Sequence, residues 1–363
     1  MKMLWGDTRR GPLKCRVERI WLRKEACVKT WNGVALFVGT LAMLVILGSS
    51  PAVAASLLVA SENNNRVLLY DAITGAFQST FVPAGSGGLI NPDFMAIGRD
   101  GNLYVTSSGS GQILRYNGLT GAFIDVFVPL GSGGLFSPRG LVFGRDGNLY
   151  VTEFSTNQVL RYNGTTGAFL NVFVTAGSGG LSSPLELIFG PDGNLYVASY
   201  ATNQVLRYNG TTGAPIDAFV PAGSGGLDHP IGLVFGLDGN LYVTSEQSDQ
   251  VLRYNRITGA FLGVFVAAGS GGLARPAGLA FGPDGNLYVS SQITDSVLRY
   301  DGTTGAFIGA FVPTGSGGLD NPVGLLFAPL PVPTLSEWAQ ILMVGVLVAS
   351  ALWVLGRRRA AIS

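Results

Sequence analysis

"SPRGLVFGRDGNLYVTEFSTNQVLRYNGTTGAFLNVFVTAGSGGL", Ser137 to Leu181, contains four short apolar runs separated by turn residues. Gly140–Phe143, Leu149–Thr152, Val159–Tyr162 and Phe169–Val174 are rich in Val, Leu, Phe and Tyr, the residues that buried and half-buried strands favour. Between the first two, Arg145–Asn148 is an Asp-Gly hairpin signal, and Asn163–Gly167 supplies residues that tolerate positive φ. The stretch predicts four antiparallel strands, A to D.

The same unit recurs with a period of 46, seen directly in "DGNLYV" at Asp100, Asp146, Asp192, Asp238 and Asp284. That period lies in the range of propeller blades. The ends of the array settle its geometry. "SLLVASENNNRVLLY" at Ser56 aligns with strands B and C and lacks a strand A, whereas "NPVGLLFAPLP" at Asn321 is a strand A with nothing after it. Together they complete one blade, with Leu325–Phe327 expected beside Leu57–Ala60. The fold class expected is all-β, a six-bladed propeller of four-stranded repeats whose closure leaves no long free edge between the chain ends.

"SPRGLVFGRDGNLYV" from Ser137 and "NNRVLLYD" from Asn64 resemble the NHL repeat, over Ser56 to Phe327. Its superfamily also includes gluconolactonase-like and streptogramin-lyase-like proteins. The WD40 pattern is not followed, since all five Trp lie outside the array. Such a superfamily contains binders, scaffolds and enzymes, so the resemblance implies a fold and leaves function to the site.

With strands running A to D from the axis outwards, the B-to-C and D-to-A loops share one face. "DGN" and "TGA" hardly vary among the copies, so the opposite face reads as structural. Variation is concentrated in the B-to-C column Glu62, Ser108, Phe154, Tyr200, Glu246, Gln292 and the D-to-A column Asn91, Ser137, Ser183, His229, Arg275, Asn321. The expectation is a binding module whose ligand-binding face carries Glu62, Glu153, Phe154, Tyr200, Glu246, Gln292, His229 and Arg275. The bland alternative is that exposed loop tips drift.

The resemblance also implies an alternative, a lactonase or lyase with one divalent cation or a catalytic His at the channel mouth. Glu186 replaces a Gly present in four of six copies and Glu153 replaces a Ser, so with His229 they form a candidate ligand set. Glu186 pairing with Arg139 of the adjacent blade is the competing reading. No Ser-His-Asp or Cys-His arrangement can be assembled around His229, the single His, and no catalytic residue is assigned. "GSGGL", six times repeated, invites a phosphate cradle, but no Lys follows it in the array, so it reads as an interblade connector. The Arg column in strand C reads as a ladder partner of the turn Asp residues. Asn163 and Asn209 in "NGT" read as turn sequence rather than glycosylation acceptors.

Of the 363 residues 53 are Gly, about twice the usual share of roughly 7%, and at fixed positions they mean repeated turns. Between Ser56 and Ala328 eleven Arg face eighteen Asp and Glu, a net of about −7, which argues against nucleic acid as a partner. Cys15 and Cys27 lie in the leader, so the array has neither a disulfide nor a Cys metal site.

The ends read as addresses. Residues 1–55 are a signal peptide with an extended basic leader: the apolar run Val34–Leu47 precedes "SSPAVAA", a small-residue cleavage site near Ala54 or Ala55. The propeller occupies 56–328, a Pro-rich linker 329–337, a transmembrane helix 338–356 and a basic cytoplasmic tail 357–363. "VPTLSEW", Val332 to Trp338, followed by a span and an Arg cluster, resembles the IPTL-CTERM sorting signal, a relative of PEP-CTERM, with Val332 where Ile is usual. The resemblance implies that an exosortase-type membrane sortase recognises Pro333, Thr334, Glu337 and Trp338 and removes the tail. The body is then anchored or released at the bacterial envelope, with a protein or polysaccharide ligand. A plain anchor without processing is the alternative.

Overall fold

The computed structural model describes residues 56–328, and these form six four-stranded antiparallel sheets. The expected signal helix, linker, transmembrane helix and sorting motif lie outside the described residues. The strands are β1 (Ser56–Ser61), β2 (Arg66–Asp71), β3 (Phe77–Val82), β4 (Pro92–Ile97), β5 (Leu103–Ser107), β6 (Gln112–Tyr116), β7 (Phe123–Val128) and β8 (Pro138–Phe143). They continue as β9 (Leu149–Glu153), β10 (Gln158–Tyr162), β11 (Phe169–Val174), β12 (Pro184–Phe189), β13 (Leu195–Ser199), β14 (Gln204–Tyr208), β15 (Pro215–Val220) and β16 (Pro230–Phe235). The last are β17 (Leu241–Ser245), β18 (Gln250–Tyr254), β19 (Phe261–Val266), β20 (Pro276–Phe281), β21 (Leu287–Ser291), β22 (Ser296–Tyr300), β23 (Phe307–Val312) and β24 (Pro322–Ala328). The first blade has the order β24-β1-β2-β3 and the remaining five run in chain order. Closure pairs the expected segments, with Leu57 opposite Phe327 and Val59 opposite Leu325.

Strand A begins two residues earlier than its apolar pattern indicates, because of a bulge. The register shifts between Pro138 and Leu141 where β8 pairs with β9, and an equivalent shift occurs in all six blades. A bulge re-aims the side chains within it. The second and third residues of each innermost strand, such as Asp93, Phe94, Arg139 and Glu186, are those it releases from the ladder.

Between blades the core is aromatic. Tyr150 of β9 lies edge-on to Phe173 of its own blade at 4.8 Å and to Phe189 of the next at 5.1 Å, and five of the six interfaces repeat the arrangement. Such pairs add about 0.5–1.5 kcal/mol each beyond area burial. The sixth interface substitutes both partners together, packing Leu58 with Ile97.

The "GSGGL" connector is fastened by a second Tyr. Tyr162 donates its hydroxyl to the Ser132 carbonyl at 2.8 Å, and the same bond, 2.7–2.8 Å, recurs in all six blades. The Asp-Gly-Asn turns form as expected: Asp146 accepts from the Asn148 backbone and side chain and from the Tyr150 hydroxyl. Asn163 accepts from the Thr165 and Thr166 amides, a turn role for the "NGT" motif.

Candidate functional site

The two variable columns are joined by backbone hydrogen bonds. The amide of each B-to-C residue donates to the carbonyl of the D-to-A residue in its blade, as from Glu246 to His229 (3.2 Å) and from Gln292 to Arg275 (3.3 Å), and this holds in all six blades. In five blades the D-to-A residue is in turn held by an Asn or Asp of the preceding blade: His229 donates its amide to Asn203 and Arg275 donates its amide to Asp249. This clamp holds Asn91, Ser183, His229, Arg275 and Asn321 at positive φ, 48–54°. Left-handed backbone costs a non-Gly residue roughly 1–2 kcal/mol. The loops are thus built to fixed positions that do not depend on which side chain they carry.

At the axis the columns meet the bulged strand-A residues around one cavity of about 280 Å³. Its wall carries Glu62, Phe154, Tyr200, Glu246 and Gln292 from five B-to-C loops, with Arg275 and Asn321 from the D-to-A loops. Asp93 and Arg139 from strand A complete the polar wall, and Phe94, Leu185, Ile231 and Val323 supply its apolar part, so every blade contributes. Clefts of about 320 and 430 Å³ on the opposite face are lined mainly by turn residues such as Asp146 and Gly193, whose counterparts recur around the ring. Those clefts are built mostly from repeated residues, with Arg99 and Arg145 as departures, whereas the axial cavity draws departures from every blade.

Two charge clusters face each other across the mouth. Glu246, 2% exposed, accepts the Tyr200 phenol at 2.6 Å and the Arg275 guanidinium. Burial and the Glu246 carboxylate push Tyr200 up to about 12, so the phenol stays a donor. Opposite, Arg139 Nη1 donates to both Asp93 oxygens at 3.1 and 3.2 Å, with Glu62 at 4.0 Å, and its guanidinium lies 5.1 Å from the Phe154 ring centroid. Burial raises the Asp93 carboxyl against the pull of Arg139. Glu62 accepts from Asn321 at 2.6 Å, and burial, with repulsion from Asp93, pushes it up to about 7.

The structure does not bring Glu153, Glu186 and His229 together as a metal set. Glu153 is fully buried, accepting the Phe136 and Ser137 amides at 2.9 and 2.8 Å and the Ser155 amide and hydroxyl. The reason is local. Where the other blades hold the D-to-A residue with an Asn or Asp, this one has Gly111, and where they have a Ser, it has Glu153, whose longer carboxylate does the work of both. Glu153 is therefore a loop clamp, not part of the exposed binding face. His229 packs its ring edge on Tyr200, centroids 4.4 Å apart, with Nδ1 2.7 Å from Asp228; it buttresses the wall without lining it. Among the described residues no group of three His, Cys, Asp or Glu is placed to hold a metal ion.

Glu186 accepts the Leu233 amide of the next blade at 2.5 Å, and Arg139 pairs with Asp93 instead. Burial pushes Glu186 up to about 8 from an ordinary 4.5. A raised carboxyl means that the fold prefers the neutral acid, so its stability contribution is complete below pH 4.5 and is lost as pH rises through about 8. Glu186→Gln should therefore match the parent near pH 4 and exceed it at pH 9 by on the order of 5 kcal/mol, a factor of ten in proton affinity being about 1.4 kcal/mol. Denaturant melts across that range check it; parallel curves for the two chains would refute the assignment.

Asp93 and Arg139 are the residues that the loop columns did not disclose. The signal was present in a third column, Asp93, Arg139, Leu185, Ile231, Ala277, Val323, but only the bulge turns that column to the mouth.

No protein-family model matches this chain, and no curated protein sequence matches it. Among solved structures, a chain of a nidogen/laminin complex is similar with TM-score 0.61 and 18% identity, covering 76% of this chain and 98% of that one. A catalytically inactive variant of virginiamycin B lyase from Staphylococcus aureus, solved with quinupristin, is similar with TM-score 0.53 and 16% identity over 76% of this chain and 92% of that one. A streptogramin B lyase gives 0.50 and 17%, over 70% and 82%. At such identities the likeness is one of fold: this chain is a six-bladed β-propeller with structural neighbours of the streptogramin-lyase type.

Proposed function

We propose that this protein is an exported, envelope-sorted propeller that binds a protein or polysaccharide ligand at its axial mouth. One observation carries the reading: every blade contributes side chains that depart from the repeat to a single cavity with an apolar part and a polar rim. Concave sites with a few convergent polar groups are where ligands bind. The occurrence of a similar fold in a nidogen/laminin complex is in keeping with a protein ligand. Of the ion-binding set considered for a metal-dependent lactonase or lyase, Glu153 serves as a loop clamp, Glu186 as an interblade tie and His229 as a buttress.

The test is capture on glycan and protein arrays with the purified chain and with a Phe154→Ala/Tyr200→Ala variant. A ligand whose affinity falls at least about tenfold in the variant, roughly 1.4 kcal/mol, supports the mouth as the site. A ligand held equally by both chains would move the site elsewhere, and no ligand at all would favour a passive structural body. Sorting rests on the tail motif; intact mass of surface-extracted protein that still includes residues 338–356 would count against processing.

A further inference from the structure

The charges around the mouth do not balance. Three carboxylates, Glu62, Asp93 and Glu246, face two guanidinium groups, Arg139 and Arg275. Arg275 is committed to Glu246, which also takes the Tyr200 phenol. Arg139 is committed to Asp93, bonding both of its oxygens. Glu62 is left 4.0 Å from Arg139, with the neutral Asn321 amide as its side-chain donor at 2.6 Å, and its own side chain is 19% exposed. The carboxyl left without a committed cation is therefore Glu62, held largely out of water and pushed up to about 7 by burial and Asp93 against the pull of Arg139 and Arg275, so that a cation beside it would hold it in its charged form.

The rest of the cavity restricts what could neutralise it. Leu185, Ile231 and Val323 offer methyl groups and no polar partner, a surface suited to a run of methylenes. Phe154 and Tyr200 add aromatic faces, and the Phe154 ring already has one cation, Arg139, beside it. An anionic ligand would be repelled by Glu62, although Arg139 Nε and Arg275 Nη1 keep N–H donors that Asp93 and Glu246 do not take. The volume, about 280 Å³, admits a side chain rather than a folded surface.

We propose that the mouth takes a cation carried on an aliphatic stem, a lysine side chain presented by a protein ligand; this rests on the reading of the mouth as a binding site. Glu62 is the counter-ion, the Leu185–Ile231–Val323 floor takes the stem, and Phe154 and Tyr200 flank it.

The experiment titrates the full chain, by calorimetry or ligand-observed NMR, with three probes: acetyl-lysine amide, acetyl-norleucine amide and acetyl-glutamate amide, the acetyl group on the α-nitrogen in each. The lysine probe should bind at least about tenfold more tightly than the other two, and Glu62→Gln should erase that preference. Glu62→Gln keeps an acceptor for Asn321, and an unchanged melting curve shows that it folds. A lysine preference that survives Glu62→Gln overturns the role of Glu62. No lysine preference overturns the proposal, and if a captured ligand still depends on Phe154 and Tyr200 the binding reading survives it. Loss of both the preference and any such ligand overturns the two together.

Discussion

Gly259→Ala is expected to lower the melting temperature by roughly 10 °C or more, or to abolish folding, while Gly223→Ala costs only a few degrees. Both glycines have the same left-handed backbone, φ +67° and +68°, so the intrinsic strain of an added Cβ, about 1–2 kcal/mol, is common to the two. Their surroundings differ. A Cβ on Gly223, in the interblade connector, meets nothing within 4 Å, whereas one on Gly259 would lie 1.7 Å from the Phe219 carbonyl oxygen. Phe219 is in β15 and Gly259 lies between β18 and β19, so the clash separates two blades. Backbone cannot yield as a side chain can, and the added cost should exceed about 4 kcal/mol. Thermal melts of the two variants decide it; equal losses would show that the blades are not seated through this turn.

Arg139→Met should cost about 3 kcal/mol at neutral pH, the second large effect. Asp93 is 4% exposed and Arg139 is its charged partner, so removing the guanidinium leaves a buried carboxylate uncompensated. Asp93 then protonates more readily still, and the loss should shrink as pH falls. In the double variant Asp93→Leu/Arg139→Met no buried charge remains beside the Leu185 and Val323 floor, and most of the loss should return. Denaturant unfolding of the two singles and the double gives the coupling energy. Strict additivity would mean that Asp93 and Arg139 do not act as a pair.

Most of the fold was legible because the repeat compares the sequence with itself. The strands and Asp-Gly turns followed from apolar runs and turn chemistry, which are local, and the closure of Leu57 against Phe327 from the incomplete first and last copies of the repeat. The bulge in strand A was not legible, since it arises from pairing across the blade and leaves no mark on the apolar pattern of Gly140–Phe143. At the site, the loop columns pointed to Glu62, Phe154, Tyr200, Glu246 and Arg275, because any residue that departs from a repeat stands out. The same logic misdirected Glu153 and Glu186. A departure from the repeat can compensate another, as Glu153 does for Gly111, and sequence alone does not separate a compensating exception from a functional one. The C-strand Arg groups show a similar limit. Arg115 and Arg207 bond Asp125 and Asp217 of strand D more closely than the turn residues Asp100 and Asp192 that their repeat position suggested.

A ligand that engages the axial mouth slows exchange of the loops around it. Hydrogen exchange of the full chain with and without its captured ligand locates the contact directly. Protection is predicted in the B-to-C and D-to-A loops, at Phe154–Thr156, Tyr200–Thr202 and around Arg275, with the Asp-Gly-Asn hairpins of the opposite face unchanged. Protection confined to those hairpins or to the outer strands such as β11 and β19, with the mouth loops exchanging as before, would contradict the account.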